Sequence, residues 1–355
     1  MDQIDKNKPV MVTGATGYVA GWVVKRLLGD GMTVHATVRD PGNGEKLKEL
    51  NAAADQSPGK IVYFKSDLLE KESFKDAMQG CGVVFHTASP FIMDVADPQK
   101  DLIEPALAGT RNVLGQVNET ASVQRVVLTS SCAAIYGDNC DLEKTASGLF
   151  TEEDWNLTST PVHQPYAYSK TIAEKEAWKI NKAQDRWNLV VVNPSLVIGP
   201  GISPVTTSES FRIIKQFGDG TMKNGVPDWG IGVVDVRDLA EAHVKAAFAT
   251  SANGRHIISA HNTSFMGMAR PLIDRFGSAY PFPKMVLPKV MVWLIGPFLN
   301  PSITRKMIRR NVNYPWRADN SRSIRELGMS YRPLEESMVA FFQQLIDHHI
   351  VSPKK

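Results

Sequence analysis

The first half of the chain alternates two patterns of hydrophobic and polar residues. Short apolar and β-branched runs bounded by turn residues are typical of strands, and longer stretches repeat apolar residues at helical spacing, as at Val19, Val23 and Leu27. The predicted strands are residues 10–12, 33–38, 61–65, 83–85, 126–128 and 189–193. Strict alternation of strand and helix predicts an α/β fold, with one parallel sheet covered by helices on both faces.

The alternation ends near residue 200, where Pro, Gly, Ser and Thr crowd the stretch "GPGISPVTTSES". We expect residues 1–200 to form the main domain, with residues 226–260 returning to it. Residues 201–225 and 261–355 are then expected to form a smaller, mostly C-terminal substrate-binding region.

A glycine-rich turn, "TGATGYVA", joins the first predicted strand to the first predicted helix. Gly14 permits a tight turn, Gly17 lets the backbone approach a pyrophosphate, and Ala20 lets the helix pack close to the strand. The free N–H groups at the helix start attract phosphate. The motif therefore predicts a dinucleotide site on a Rossmann-type, doubly wound sheet. The predicted contacts of this turn are Thr13, Gly14, Thr16, Gly17, Tyr18 and Val19.

The end of the second predicted strand indicates which dinucleotide binds. An acidic residue there selects NAD, whereas an arginine accommodates the additional phosphate of NADP. Arg39 is the first residue after the apolar run, which favours NADP(H) over NAD(H). Asp40 would reverse this preference if the strand ended one residue later. Lys46 supplies a second candidate cation, and a solvated lysine is an equally good interpretation.

After the third predicted strand, Asp67 and Leu68 offer an acidic cap and an apolar neighbour suited to an adenine ring. A helix N-cap explains Asp67 almost as well.

The stretch "HQPYAYSKTIAEKEAW" contains two tyrosines and one lysine within five positions. In a helix that begins near Pro165, Tyr166 and Lys170 lie on one face, one turn apart, and Tyr168 lies on another. A nearby ammonium group favours the phenolate and lowers the pKa of a tyrosine, so this pair is a candidate proton donor and acceptor.

The fifth predicted strand ends in Thr129, Ser130 and Ser131. Ligands of open α/β sheets bind outside the carboxyl ends of the strands, where a hydroxyl can reach a substrate oxygen. Cys132 is a weaker candidate as a nucleophile, because no histidine is placed by sequence to activate it.

Together the motifs "TGATGYVA", "TVRDP", "FHTASP", "TSSCAAIYG", "YAYSK" and "NPSLVIGPG" resemble those of the extended short-chain dehydrogenase/reductases, in the NAD-dependent epimerase/dehydratase superfamily. Within that family the chain is most similar to the branch of dihydroflavonol 4-reductase, cinnamoyl-CoA reductase and the aldehyde and ketone reductases. The resemblance covers residues 9 to about 260 and resumes weakly near residue 319.

The resemblance implies NADPH-dependent reduction of an aldehyde or ketone, in which Tyr166 supplies the proton. It assigns the catalytic Ser-Tyr-Lys set to Ser131, Tyr166 and Lys170, and leaves Tyr168 on a variable position. The other implied cofactor contacts are Arg39, Lys46, Asp67, Leu68, Thr87, Ala88, Ser89, Pro194 to Val197, and Ser210.

Three alternatives stay open at this point. A nucleotide-sugar epimerase or dehydratase uses the same three residues with tightly bound NAD, and Arg39 argues against it. A 3β-hydroxysteroid-type dehydrogenase would suit the apolar segment 285–299. A non-enzymatic redox sensor would use the dinucleotide fold without needing the Ser-Tyr-Lys set.

Charge and cysteine content indicate which partners and which cellular compartment the protein is expected to have. A net charge of +3 from 40 basic and 37 acidic residues argues against nucleic-acid binding. The three cysteines show no paired framework and no metal-binding spacing, so no metal site is predicted and a reducing, cytoplasmic setting is expected. The charged N-terminus lacks a signal-peptide pattern, and no integral membrane segment is expected.

The substrate region gives weaker signals. Segment 285–299 is interrupted by prolines, a lysine and a glycine, so we expect it to be buried or to line a pocket, with peripheral membrane contact as the lesser interpretation. Aromatic residues suggest a lipophilic or aromatic carbonyl substrate, and the basic run 305–317 is interpreted as a solvated face more readily than as a site for an anionic or CoA-linked substrate. The aromatic residues are Phe91, Trp229, Trp293 and Phe298. The chain is expected to be a monomer or a homodimer.

Because Tyr166 and Tyr168 lie on different faces of the predicted helix, substituting each in turn distinguishes their roles. Tyr166→Phe removes the proposed proton donor, so turnover should fall roughly 100-fold or more while NADPH binding stays nearly intact. Tyr168→Phe is the matched control and should be much milder. Steady-state kinetics and cofactor titration measure both effects, and carbonyl reduction by Tyr166→Phe at the wild-type rate would show the assignment to be wrong.

Overall fold

A seven-stranded parallel sheet forms the centre of the protein. The structure, a computed structural model, describes residues 4–89, 97–204, 208–300 and 302–354. The strands are β1 Val10–Val12, β2 Thr33–Val38, β3 Lys60–Lys65, β4 Val83–His86, β5 Arg125–Thr129, β6 Asn188–Pro194, β7 Leu196–Ile198, β8 Val226–Pro227, β9 Gly230–Asp235, β10 Gly254–Ile258, β11 His261–Ser264 and β12 Val286–Leu287. The central sheet has the order β10-β6-β5-β4-β1-β2-β3, with every neighbouring pair parallel.

Helices follow the strands in the order that the sequence predicts. They are α1 Tyr18–Gly29, α2 Gly44–Asp55, α3 Lys75–Met78, α4 Glu104–Glu119, α5 Pro165–Lys182, α6 Glu209–Gly218, α7 Val236–Phe248, α8 Phe265–Phe276, α9 Lys289–Leu299, α10 Arg305–Asn311, α11 Ser321–Leu327 and α12 Leu334–Asp347. Each of the six predicted strands is present and extends by no more than one residue at either end. The predicted doubly wound α/β fold is therefore confirmed.

Alternating side chains of the central strands belong to two hydrophobic cores, one on each face of the sheet. In β1, Val10 and Val12 pack in the core that contains α1 and α7 residues, whereas Met11 packs in the core that contains α3, α4 and α5 residues. Strands buried on both faces need apolar residues at every position, because consecutive side chains point to opposite sides. The continuous apolar runs of the sequence follow from this arrangement.

A second region is built from the later strands and helices. Strands β11, β9 and β7 form a separate three-stranded sheet, and β8 pairs with β12. Their core is aromatic, with Phe211, Phe217, Phe341 and Phe342 buried together. Within the segment 226–260, α7 packs on α1 and β10 joins the central sheet, whereas β9 pairs with β7 and β11. The domain boundaries themselves stay a prediction.

Segment 285–299 differs from its predicted burial. None of the described residues 289–299 that form α9 is buried, so the expectation of a buried segment is wrong. Hydropathy measures how apolar a segment is, and it does not say whether other elements cover it. In the described part of the chain, no helix is long and apolar enough to cross a membrane.

Arg125 links the start of β5 to the end of α7. Its side chain is buried, and its guanidinium donates to the carbonyl oxygens of Ala246, Ala247 and Ala249. Burial lowers the pKa of Arg125. These three acceptors belong to the last turn of α7 and the residue after it, where carbonyl groups lack intrahelical donors.

Arg125→Met should therefore destabilise the fold, because it leaves those carbonyl groups without donors. We expect the free energy of unfolding to fall by about 3 kcal/mol. Urea denaturation measures the change. Arg325→Met, at a largely exposed arginine of α11, is the matched control and should stay within about 0.5 kcal/mol of the unchanged chain. Equal unfolding energies for the two variants would contradict this role of Arg125.

Candidate active site

The candidate site lies at the carboxyl ends of four neighbouring strands. In the order β6-β5-β4-β1, the strands end at Pro194, Thr129, His86 and Val12, so the motifs that follow them meet at one edge of the sheet. Strands β2 and β3 are added on one side of β1, whereas β4, β5 and β6 are added on its other side, so the strand order reverses between β1 and β4. Such a switch point forms the crevice in which dinucleotides bind.

The glycine turn has the geometry that phosphate binding requires. Gly14 has a φ of +64°, and a Cβ atom added to it would lie 3.0 Å from the Cβ of Ala88. Gly17 is the N-cap of α1 and offers no side-chain acceptor to the first helical N–H groups. These N–H groups are therefore available to a pyrophosphate. Ala20 is buried, as close packing of α1 on the sheet requires.

Thr13 connects the glycine turn to the residues after β4. Its buried hydroxyl oxygen accepts hydrogen bonds from the backbone N–H groups of Thr87, at 3.0 Å, and Ala88, at 2.9 Å. The hydroxyl of Thr87 donates to the carbonyl oxygen of Thr13. The predicted residues Thr13, Thr87 and Ala88 therefore form one rigid unit beside Gly14.

At the end of β2, Arg39 and Asp40 have different roles. Arg39 follows Val38, the last residue of β2, and its exposed guanidinium forms no hydrogen bond or ion pair with any residue that the structure describes. The Asp40 carboxylate accepts the backbone N–H of Gly42 at 2.9 Å, within its own turn. A free cation at this strand end suits the additional phosphate of NADP.

The other predicted adenosine contacts lie beyond β2 and β3. Lys46 is exposed on the first turn of α2. Asp67 accepts the backbone N–H of Leu69 at 2.9 Å, which is a local turn contact. Leu68 is half-buried and packs near Gly109 of α4.

Three further predicted cofactor residues lie toward the second region. Tyr18 donates its hydroxyl to the carbonyl oxygen of Gly199 and packs edge-on against Phe211, so its side chain joins α1 to that region. Val197 is half-buried in β7, and Ser210 is buried in the first turn of α6.

The two remaining predicted contacts belong to the glycine turn and α1. Thr16 is exposed in the glycine turn and Val19 packs against the core under α1.

The Ser-Tyr-Lys set comes together at the start of α5. Gln164 precedes the helix with a φ of +59°, and Pro165 occupies its first position. The Lys170 ammonium lies 5.8 Å from the centre of the Tyr166 ring and donates to the hydroxyl of Ser89 at 3.0 Å. Ser131 lies close enough to Tyr166 to lower the pKa of its hydroxyl. The hydroxyl oxygen of Ser131 accepts the backbone N–H of Ala133 at 3.1 Å.

The pKa of Tyr166 is shifted in the opposite direction to the one expected from its pairing with Lys170. Desolvation by the surrounding protein raises its pKa above the usual value, and the hydrogen bond from Ser131 acts in the opposite direction. Tyr166 is 43% exposed, so water that reaches it limits the rise in its pKa. Within the chain alone, Ser131 rather than Lys170 is the group that favours the phenolate.

Lys170 is also desolvated. Burial lowers its pKa to about 8, and the negative charge of Glu174 acts against that change. Beside it, His86 is buried and hydrogen-bonded to Thr13, and burial with the nearby Lys170 charge lowers the pKa of His86 to about 3. His86 is therefore neutral at physiological pH and does not compete with Tyr166 as a proton donor.

Cys132 does not have the environment of a nucleophile. Its side chain is buried, its thiol donates to the carbonyl oxygen of Asn193 at 3.2 Å, and burial raises its pKa well above the usual value. A thiol that stays protonated is a poor nucleophile.

Comparison with known proteins identifies the family. A model described as the NAD dependent epimerase/dehydratase family matches residues 10–258. This chain belongs to that family.

Relatives within the family are reductases. Cinnamoyl-CoA reductase CAD2 from Medicago truncatula is 39% identical over 275 residues, which cover 76% of this chain and 81% of that protein. Anthocyanidin reductase from Arabidopsis thaliana is 37% identical over 282 residues, with 76% and 81% covered. The crystal structure of Gre2 from Candida albicans in complex with NADPH has a TM-score of 0.76 at 29% identity, over 96% of this chain and 99% of that chain. The predicted family and its reductase branch are confirmed.

One residue that the motif analysis missed lies behind the Ser-Tyr-Lys set. Glu174 is fully buried in α5, one turn after Lys170. Its carboxylate accepts hydrogen bonds from four side chains: Ser130 at 2.5 Å, Arg255 at 2.6 Å, Asn193 at 2.8 Å and Trp178 at 3.2 Å. The four-residue spacing from Lys170 is a signal that the sequence carried, since it places both side chains on one helix face.

A second missed group holds the start of α5. The buried carboxylate of Asp138 hydrogen-bonds to His163, Asn311 and Arg310. The amide of Gln164 also donates to it, at 3.3 Å. These contacts join the residues just before Tyr166 to α10 in the second region.

Glu174→Gln should lower the pKa of Lys170 below its value of about 8, because it removes the negative charge that favours the ammonium form and leaves Arg255 uncompensated. Isotope-labelled methyl groups added to the lysines report the titration by NMR, and the Lys170 signal is the one absent from Lys170→Arg. Trp178→Phe is the matched control: it removes one hydrogen bond to Glu174 and keeps the charge, so the midpoint should stay unchanged. An unchanged midpoint in Glu174→Gln would contradict the electrostatic role.

Proposed function

We propose that this protein reduces an aldehyde or ketone with NADPH. The observation that carries the proposal is the meeting of Ser131, Tyr166 and Lys170 at the strand ends that also hold the glycine turn. The reductase relatives support the reaction class.

The residues at the crevice fit an NADP dinucleotide. The N–H groups after Gly17 would hold the pyrophosphate, and the unpaired guanidinium of Arg39 would hold the additional phosphate. Asp40, which would favour NAD, uses its carboxylate within its own turn. Gre2 from Candida albicans, a structural neighbour, was crystallised with NADPH. Arg39 also argues against an epimerase that retains NAD.

The chemistry divides between the cofactor and the side chains. NADPH, when bound, supplies a hydride to the carbonyl carbon. Tyr166 donates its hydroxyl proton to the carbonyl oxygen, and the exposed face of its ring leaves the substrate access. Ser131 donates a hydrogen bond to the same oxygen and stabilises its developing negative charge. The substrate carbonyl thereby becomes an alcohol.

Lys170 then restores the proton of Tyr166. A cavity of about 30 Å³ adjoins Lys170 and is lined by polar groups of Ser89, Thr110, Ser130 and Glu174. It has room for one water molecule with several hydrogen-bond partners. Lys170 donates a proton to the Tyr166 phenolate and becomes a neutral amine, and this amine then takes a proton from a water molecule in the cavity.

The substrate is a lipophilic or aromatic carbonyl compound in this proposal. Aromatic side chains follow Ser131 along the chain: the Tyr136 ring stacks on Phe150 at 4.7 Å and meets Trp316 edge-on at 5.9 Å. Phe150 and Trp316 are buried in a hydrophobic core, and Tyr136 is half-buried against it. Trp229 bridges to Val312 and Tyr314 beside this cluster. The predicted contribution of Phe91 lies outside the described residues.

Monomeric or homodimeric assembly and a cytoplasmic location complete the proposal. The proposed location rests on the three unpaired cysteines, which are typical of a reducing compartment.

Arg39→Ala tests the cofactor assignment. Losing a charged hydrogen bond to phosphate costs about 1.5–3 kcal/mol, so KM for NADPH should rise roughly 10- to 150-fold while KM for NADH changes little. The rate of NADPH absorbance loss with a panel of aromatic and aliphatic aldehydes measures both. Lys48→Ala, at an exposed lysine of α2, is the matched control and should leave KM unchanged. Equal loss with both cofactors would contradict NADPH selection, and no reduction of any carbonyl would contradict the function.

A further inference from the structure

The most exposed apolar element of the described chain is helix α9. Phe298 and Leu299 are each 80% exposed and Val290 is 70% exposed. We use "α9 surface" for the exposed apolar side chains of this segment. They are Met285, Val286, Val290, Met291, Trp293, Leu294, Ile295, Phe298 and Leu299. Contiguous apolar surface of this kind marks a contact site rather than ordinary surface composition.

The helix is nevertheless held in a defined position. Lys289, at its first turn, donates to the carbonyl oxygens of Arg309 and Val312. At its other end Gly296 lies against Ile308 of α10, where an added Cβ atom would be 3.2 Å from the Ile308 side chain. One face of α9 thus packs on α10, and the remaining apolar side chains point away from the protein.

Charge around the α9 surface has one sign. Residues 280–317 contain seven lysines and arginines and no aspartate or glutamate, so the rest of the chain carries a net charge of −4. Arg305, Lys306 and Arg309 are exposed, and among the described residues they form no ion pair. The Arg305 guanidinium lies 4.6 Å from the centre of the Trp293 ring, so cation and apolar surface are interleaved.

We propose that the α9 surface and the basic residues around it dock the protein on an anionic membrane leaflet. Apolar side chains with tryptophan enter the headgroup region of a bilayer, and lysines and arginines beside them meet anionic lipid headgroups. The 11-residue helix contains Pro297 and is too short to span. The contact is therefore peripheral.

Charge also disfavours a second copy of the chain as the occupant. A symmetric dimer places the same patch of both copies face to face. The exposed cations Arg305, Lys306 and Arg309 of one copy would then oppose the same three of the other, with no carboxylate in residues 280–317 to pair with them. An anionic leaflet supplies the opposite charge over the whole patch.

Vesicle co-sedimentation of the full chain tests the proposal. The probes are vesicles of phosphatidylcholine alone and of an equimolar mixture of phosphatidylcholine and phosphatidylglycerol. We expect the anionic vesicles to bind roughly tenfold or more tightly, and added salt to weaken binding. The double variant Phe298→Ser with Leu299→Ser should lose binding, and Lys306→Glu with Arg309→Glu should lose the preference for anionic vesicles.

The matched control is Ile324→Ser, which removes a half-exposed apolar side chain from α11 and should bind like the unchanged chain. All these positions are at the surface, so thermal unfolding and carbonyl reduction should stay unchanged and establish that each variant folds. Failure to sediment with anionic vesicles would overturn the proposal. Equal binding to both kinds of vesicle would also overturn it. A dimer detected by light scattering would overturn it too, if the double variant Phe298→Ser with Leu299→Ser dissociated that dimer.

Discussion

The buried carboxylate of Glu174 is the contact on which the arrangement of the site depends. It joins α5, which carries Tyr166 and Lys170, to Ser130 after β5, to Asn193 of β6 and to Arg255 of β10. A charge in the interior is costly unless it is fully paired, and here every partner is a directional hydrogen-bond donor. Helix α5, which carries the proposed catalytic residues Tyr166 and Lys170, therefore has one position relative to the strand ends, and Ser131 and Tyr166 meet as a consequence.

The two faces of the site are stabilised by different means. On the cofactor side, hydrogen bonds from the backbone N–H groups of Thr87 and Ala88 to the Thr13 hydroxyl hold the glycine turn and the residues after β4 as one unit. On the substrate side, Asp138 ties the start of α5 to α10 through charged side chains. The cofactor half thus depends on a rigid sheet edge, whereas the substrate half depends on long-range polar contacts between elements far apart in sequence.

Burial and charge act in opposite directions on the reacting groups. Desolvation raises the pKa of Tyr166 and lowers that of Lys170, so both neutral forms are favoured within the chain alone. Ser131 and Glu174 counter this tendency at the two residues. On the exposed side of the molecule, most apolar side chains of α9 are uncovered, and Arg305, Lys306 and Arg309 form no ion pair among the described residues. The proposed contact with an anionic membrane would supply both the apolar environment and the opposite charge.

The sequence by itself determined the sheet, the cofactor turn and the Tyr166–Lys170 pair, because strand alternation, glycine spacing and helix periodicity are local properties that survive without tertiary context. It did not reveal that the Glu174 carboxylate gathers four donors or that Asp138 anchors the start of α5, since their partners lie up to 173 residues away. It also predicted burial of segment 285–299 wrongly, because the apolar character of a segment does not determine whether other elements pack over it. Only the tertiary structure decided these points: burial and charge pairing depend on which distant elements pack together.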